Sequence, residues 1–339
     1  MTRNGALKDT PLRIAFAGAG TFSAYHLTGW KQTPEVELVA ICDAVLEKAR
    51  TRAIEFGVSR AYADFATMLD KEKPDAVDIV TPVETHAPLV RIAADRGVHV
   101  MCQKPMVPTL AEAEALVRDV GDRVRFMVHE NFRFRPQYVM VREWLEAGRV
   151  GDPTHACMTA RSSGFLSLGG TTPFLLRRQP YLQAFPRLLI FEALIHHLDV
   201  LRFLLGPLMV VSAQVAKINQ GLTGEDAASI LLRGENGPIC VLDGNFSAPG
   251  YPALPMDRLE ISGTKGTLLF EGDRLSLVGG DEPPTAFDLQ QSYQASFTNA
   301  IQAFVHGLRT GEPFQTDRLD NLETLKLMEF CYVAAGVPF

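Results

Sequence analysis

Leu12-Arg13-Ile14-Ala15-Phe16-Ala17-Gly18-Ala19-Gly20-Thr21-Phe22-Ser23, resumed at Val36-Glu37-Leu38-Val39-Ala40-Ile41-Cys42-Asp43, is the stretch that decides the fold. An apolar run reads straight into a glycine turn, a helical stretch follows, and a second apolar run closes on an acid. Strand, glycine turn, helix, strand, acid is the order a dinucleotide site requires. Gly18 permits the tight turn, and Gly20 lets the backbone approach a pyrophosphate. The helix entered through Thr21 and Phe22 offers unpaired N–H groups to that anion. Asp43, 23 positions after Gly20, is placed to accept hydrogen bonds from an adenosine ribose. Ser23 departs from the pattern, which has Gly or Ala where helix packs on strand.

Outward from that stretch, short apolar strands keep alternating with helical segments. Strands are expected at Ala76 to Val80, Val98 to Cys102 and Val124 to Val128, with helices such as Ala44 to Phe56 and Leu110 to Val120. This alternation predicts a doubly wound parallel sheet with right-handed crossovers. Its strands are apolar almost throughout, as helices on both faces demand. From about residue 150 the texture changes. Leu208 to Ile218, Ala228 to Arg233, Pro238 to Phe246, Arg258 to Ile261, Thr267 to Phe270 and Arg274 to Val278 read as strands joined by short turns, hence an antiparallel sheet. Arg161 to Arg187 is irregular, and helices near Tyr293 to Leu308 and Leu319 to Ala335 close the chain. At 339 residues the chain is too long for one typical core. Two domains are expected, 1–130 for the dinucleotide and 131–339 for substrate and oligomerisation.

A net charge of −6 argues against a nucleic-acid or anionic-membrane surface, either of which needs a basic patch. Five cysteines stand singly, with no CxxC pair, which fits reduced thiols in the cytoplasm and neither a disulfide framework nor a zinc site. The leader Met1 to Thr10 is polar and lacks the apolar core of a signal peptide. No apolar run is long enough to span a bilayer.

Three segments follow strands of the first half: Thr81-Pro82, Gln103-Lys104-Pro105 and His129-Glu130-Asn131. In open α/β sheets ligands bind outside the carboxyl ends of strands, so Lys104 is carried to the ligand edge. Position alone leaves an ordinary surface lysine open. A second constellation is Phe191-Glu192-Ala193-Leu194-Ile195-His196-His197-Leu198-Asp199. At about 100° per residue, Glu192, His196 and Asp199 fall within roughly 60° on a helix, and His197 points away. A carboxylate one turn from an imidazole can fix its tautomer and raise its basicity. The alternative is a helix buried by Leu194, Leu198, Leu201 and Leu205 whose polar stripe is merely solvated or paired. No second histidine cluster accompanies these residues, so no metal is expected. His26, early in the first helix, is read as a capping or packing residue.

Several of these segments resemble, in order, the Gfo/Idh/MocA oxidoreductases: GAGTFSAYH, TPVETHAPL, QKP where the family has EKP, NFRF, the HxxD-type HHLDVLRFLLG and the hairpin RLEISGTKGTLLF. The resemblance runs essentially end to end. It implies a Rossmann domain followed by an α/β domain on a large, open, mostly antiparallel sheet. It also implies reversible NAD(P)-dependent oxidation of a secondary alcohol on a sugar, polyol or cyclitol. Lys104 matches the family lysine at the reacting hydroxyl, and His196 matches its general acid/base. Glu192 stands four residues earlier, where the family often has an aspartate. Cofactor contacts then fall to Gly18, Gly20, Thr21, Phe22, Asp43, Thr81, Pro82, His86, Gln103, Lys104 and Asn131. Substrate contacts fall to Lys104, Arg161, Tyr181, His196 and Asp199, with Arg177 and Arg178 nearby in the irregular segment. Gln103 replaces a frequent glutamate; if that glutamate stabilises the lysine, its loss lowers the lysine pKa. A carboxylate at Asp43, with no arginine at Ala44 or Val45, favours NAD over NADP. Two further readings stay open, a glycosidase that oxidises its sugar transiently with NAD and a dinucleotide-binding regulator without chemistry. A homodimer or homotetramer is the family expectation.

Overall fold

The computed structural model describes residues 10–167, 169–235 and 237–337; all of the polar leader but Thr10 lies outside them. The chain divides into two compact units, the first built from residues up to 134 with 293–323, the second from 135–292 with 324 onward.

The first unit carries β1 (Leu12–Ala17), α1 (Ser23–Gln32), β2 (Val36–Cys42), α2 (Leu46–Phe56), β3 (Ala61–Tyr62), α3 (Phe65–Glu72), β4 (Ala76–Ile79), α4 (His86–Asp95), β5 (His99–Gln103), α5 (Leu110–Val120) and β6 (Phe126–His129). The strands form one six-stranded parallel sheet in the order β3-β2-β1-β4-β5-β6. The order reverses between β1 and β4, the switch point at which doubly wound sheets take their ligands. Leu12, Ile14 and Phe16 of β1 and Leu27 and Trp30 of α1 share a core with Ile301, Phe304 and Leu308 from the far end of the chain. Gly29 is what lets that distant helix approach, since a Cβ there would run into Ile301 and the Thr298 backbone.

The second unit holds α6 (Pro136–Glu146), β7 (Pro153–Arg161), α7 (Phe174–Arg178), α8 (Ile195–Leu205), β8 (Leu208–Ala216), β9 (Ala227–Gly234), β10 (Ile239–Asn245), β11 (Met256–Gly263), β12 (Thr267–Glu271), β13 (Arg274–Leu277) and β14 (Thr285–Ala286). Two helices close the chain, α9 (Leu289–Thr310) and α10 (Arg318–Ala334). The eight strands form a sheet in the order β14-β13-β12-β11-β7-β10-β9-β8, antiparallel at every pairing except β7 with β10. Both sheets are of the kinds the sequence predicts.

Three local departures have physical causes. The central strand β7 is not among the expected strands, because two of its three inward residues, Ala156 and Ala160, are poor strand formers. The strand begun at Leu208 stops at Ala216, where Asp226 takes the N–H groups of Ile218 and Asn219. The helix expected straight through Phe191–Asp199 opens instead with a π-helical turn, Ile190–Leu194, before α8 begins. A π turn closes i→i+5 hydrogen bonds, so the regular 100° spacing does not carry from Glu192 to His196. Of the polar stripe, His196 and Asp199 are buried and Glu192 is half-buried.

Candidate active site

At the switch point, Gly18 has φ +102° and a Cβ there would overlap the Val80 carbonyl, so the turn presses onto the end of β4 as only glycine allows. Gly20 is the reverse case, with nothing within 4 Å of a would-be Cβ. The turn therefore offers backbone to open space, which is what a pyrophosphate needs. Asp43 ties this turn to the end of β2: Oδ2 accepts the Ala19 N–H at 2.8 Å and Oδ1 the Val45 N–H at 2.8 Å. Each oxygen keeps a lone pair for a ribose hydroxyl. Ser23 is buried and its hydroxyl donates to the Gly20 carbonyl at 2.6 Å, which accommodates the departure from Gly or Ala. Arg52 of α2 reaches the same carbonyl at 3.3 Å, a cation at the turn that the residues beside Asp43 do not reveal. The glycine turn, Asp43 and the start of α1 thus fit a dinucleotide.

The neighbouring strand ends are held by side chains. His86 is buried, and both ring nitrogens face backbone carbonyls, Pro105 at Nδ1 and Thr81 at Nε2, each at 2.9 Å. Burial lowers its pKa, against the pull of those carbonyls. A neutral ring carries one N–H and donates to one of these carbonyls, so His86 sits between the loops of Thr81 and Pro105 and ties to one of them. Thr81 takes the Thr85 hydroxyl at 2.6 Å, and Pro82 leads into the short turn Val83–Thr85. Gln103 ends β5; its Oε1 accepts the Lys104 N–H at 2.7 Å and its Nε2 lies 2.9 Å from His26 Nε2. The Gln103 side chain is thus turned toward the main chain and His26. Lys104 is half-buried beside it. Asn131, buried after β6, donates to Ser296 Oγ at 2.7 Å.

In the second unit the π turn puts Glu192 and His196 on one helical segment. Its leading amides are satisfied from far along the chain. Glu225 accepts the N–H groups of Leu188 and Ile190, each at 3.0 Å, and the Tyr332 hydroxyl accepts from Phe191 at 3.1 Å while donating to Glu225 at 2.7 Å. Burial, with Glu225 beside it, holds that hydroxyl protonated far above its ordinary range. Asp199 is fully buried and accepts from Thr324 at 3.0 Å. His197, the neighbour of the candidate base, spans the Ala193 carbonyl at 3.2 Å and Asp257 Oδ1 at 2.9 Å. Asp257 also accepts from Tyr138 at 2.8 Å; despite the opposing effect of burial, His197 leads in lowering its pKa to about 2. Arg161, at the end of β7, is anchored to the Asp243 carbonyl at 2.7 Å. Tyr181 is exposed and takes a hydrogen bond from Gln179. Asp78, Glu225, Tyr332 and Asp257 carry no motif signal; only the partners they meet in the folded chain reveal them.

A nucleotide-binding α/β unit followed by a largely antiparallel sheet defines a class of two-part oxidoreductases. The model for the oxidoreductase family with an NAD-binding Rossmann fold matches residues 12–129, and that for the GFO/IDH/MocA C-terminal domain matches residues 138–269. The chain belongs to the Gfo/Idh/MocA family and is an NAD-binding oxidoreductase. It is 36% identical to a D-apiose dehydrogenase of Paraburkholderia graminis, over 95% of this chain and 87% of that protein. A D-apiose dehydrogenase of Rhizobium rhizogenes is 33% identical over 96% of each. Among solved structures, an oxidoreductase of Agrobacterium radiobacter in complex with NAD+, L-tartaric acid and magnesium superposes with a TM-score of 0.88 at 32% identity, over 96% of this chain and 97% of that one. Among the described residues, no helix is long and apolar enough to cross a membrane.

Proposed function

We propose that this chain oxidises, reversibly, a secondary alcohol of a sugar, polyol or cyclitol, with Lys104 and His196 acting on the reacting hydroxyl. The observation that carries this reading is the setting of Lys104. It follows β5 at the same carboxyl edge as the glycine turn and Asp43, between a hydrogen-bonded Gln103 and a Pro105 whose carbonyl faces His86. Bound NAD supplies the hydride acceptor. The hydroxyl proton must leave as well, so a base within hydrogen-bond reach is required. His196 takes that proton, Glu192 orients the imidazole, and the Lys104 ammonium stabilises the developing alkoxide. Arg161 and Tyr181 are the weaker substrate contacts. Asp199, which accepts from Thr324, binds a substrate hydroxyl.

Lys104→Ala and His196→Ala are each expected to lower kcat by about 10²–10⁴-fold while NAD affinity, read by fluorescence titration, stays nearly intact. Near-normal turnover in both variants sinks the assignment. The relatives' names put D-apiose first in a panel of sugars, polyols and cyclitols assayed for NADH formation. Asp43 favours NAD over NADP through the lone pairs it keeps for a ribose hydroxyl. Asp43→Ser should therefore relax the NAD/NADP ratio of kcat/KM, and an unchanged ratio counts against the role given to Asp43. The five free thiols fit a cytoplasmic setting. One face of the large sheet carries partly or fully exposed Val211, Leu231, Ile239 and Val241, a surface suited to a homodimer or homotetramer; light scattering of the purified protein reads that directly.

A further inference from the structure

Four side chains of the first unit form one run of hydrogen bonds that ends on the main chain of Lys104. Trp30 Nε1 donates to Asp78 Oδ2 at 2.7 Å, and His26 Nδ1 lies 2.8 Å from the same oxygen. On the other side of the ring, His26 Nε2 lies 2.9 Å from Gln103 Nε2, and Gln103 Oε1 takes the Lys104 N–H at 2.7 Å. Trp30, His26 and Asp78 are buried; the rings of Phe16, Phe297 and His129 border His26, with His129 at 4.1 Å between centroids.

The direction of every bond follows from its end. A peptide N–H only donates, so the Gln103 atom facing Lys104 is its oxygen, and the atom facing His26 is its NH2. That NH2 also only donates, so His26 Nε2 presents a lone pair. The ring proton is then on Nδ1, aimed at Asp78, which accepts. A glutamate at position 103, as in the EKP pattern, breaks this logic. It would accept from Lys104 with one oxygen and demand a proton on His26 Nε2 with the other. The ring would then be an imidazolium between two carboxylates, and negative charge would sit directly beside the lysine. With Gln103 no second carboxylate enters the run, and the Lys104 main chain is held by a neutral amide.

We infer that Gln103 is a positioning residue, its amide locked between the Lys104 main chain and a neutral His26 that carries its proton on Nδ1. The inference rests on the role proposed above for Lys104, although its proton arrangement can be read without any turnover. In full-length protein labelled with [15N]histidine, His26, assigned by loss of its signals in His26→Asn, should show a protonated Nδ1 and a bare Nε2. Gln103→Glu should convert it to a doubly protonated ring. In kinetics, Gln103→Leu should lower kcat by about 10- to 100-fold, the scale of a reacting group displaced by about an ångström, with NAD affinity within about twofold. Gln103→Glu keeps an acceptor for the Lys104 N–H and should recover part of that loss. A wild-type His26 protonated on Nε2 overturns the inference. So does wild-type turnover in Gln103→Leu, or a loss that merely tracks the fraction of folded protein in both variants. The labelled-histidine result stands whether or not Lys104→Ala abolishes activity, so failure of the Lys104 assignment is distinguishable from failure of this one.

Discussion

The two units hold their candidate residues in different ways. In the first, the groups sit on short loops at strand ends, and the sheet places them: Asp43 closes β2 onto the glycine turn, and Gln103 closes β5 onto Lys104. In the second, Glu192 and His196 ride on a helix whose opening turn is π-helical and whose leading amides are satisfied by Glu225 and Tyr332. A strand-end site is positioned chiefly by a repeating backbone pattern. A helix-borne site is positioned by whichever distant side chains complete its unpaired amides. Damage to the first should therefore follow the strand-end loops, through backbone at Gly18 and through the Gln103 amide at Lys104, and damage to the second should follow single remote hydrogen bonds.

The largest effect that tests this contrast is at Gly18. Gly18→Ala forces a side chain into φ +102° and against the Val80 carbonyl, and should cost about 3 kcal/mol of stability together with NAD binding. Chemical denaturation alongside cofactor titration measures both, and a neutral outcome breaks the claim that the turn is set by backbone. Next is Asp257, whose carboxyl is held at about 2. A depressed acid contributes stability above its unfolded pKa and loses it as pH falls toward the folded one. From the ordinary 3.8 down to about 2, the loss should amount to about 2.5 kcal/mol, present in full above about pH 4. Thermal melts across that range should show the slope in the native chain and a flatter one in Asp257→Asn. Equal slopes would remove His197 and Asp257 from the frame of the helix. The smallest effect is expected for Tyr332→Phe, which strands the Phe191 N–H and takes one donor from Glu225. A cost of about 1–2 kcal/mol, with a reduced kcat and unchanged NAD affinity, fits a remote clamp on the π turn. Unaltered kinetics would leave Tyr332 a stability residue only.

Much of the first unit was legible because its signals are local. The bounds of β1 and β2 follow from their apolar runs, and Gly18 and Asp43 follow from the turn between and the acid after them. The contribution of α9 to that unit's core was not legible, because nothing in a helix's own periodicity says which core it joins. In the second unit β7 escaped notice through its alanines, and the π turn because helical arithmetic assumes a uniform rise and twist. His26 read as a capping or packing residue; the fold shows that it packs and also bridges Asp78 to Gln103.

By itself, then, the sequence determined the two kinds of sheet, the glycine turn with its acid, and the residue types available for hydride and proton chemistry. These rest on short apolar runs, on the conformational freedom of glycine and on order along the chain, all of which act over a few residues. Tertiary structure alone decided that His26 lies between Asp78 and Gln103, that His86 lies between two loops, that His197 belongs to Asp257, and that the helix of His196 begins in a π turn. Each of those is the direction or partner of a hydrogen bond. A donor acquires its acceptor only when the fold brings together residues as distant as Phe191 and Tyr332.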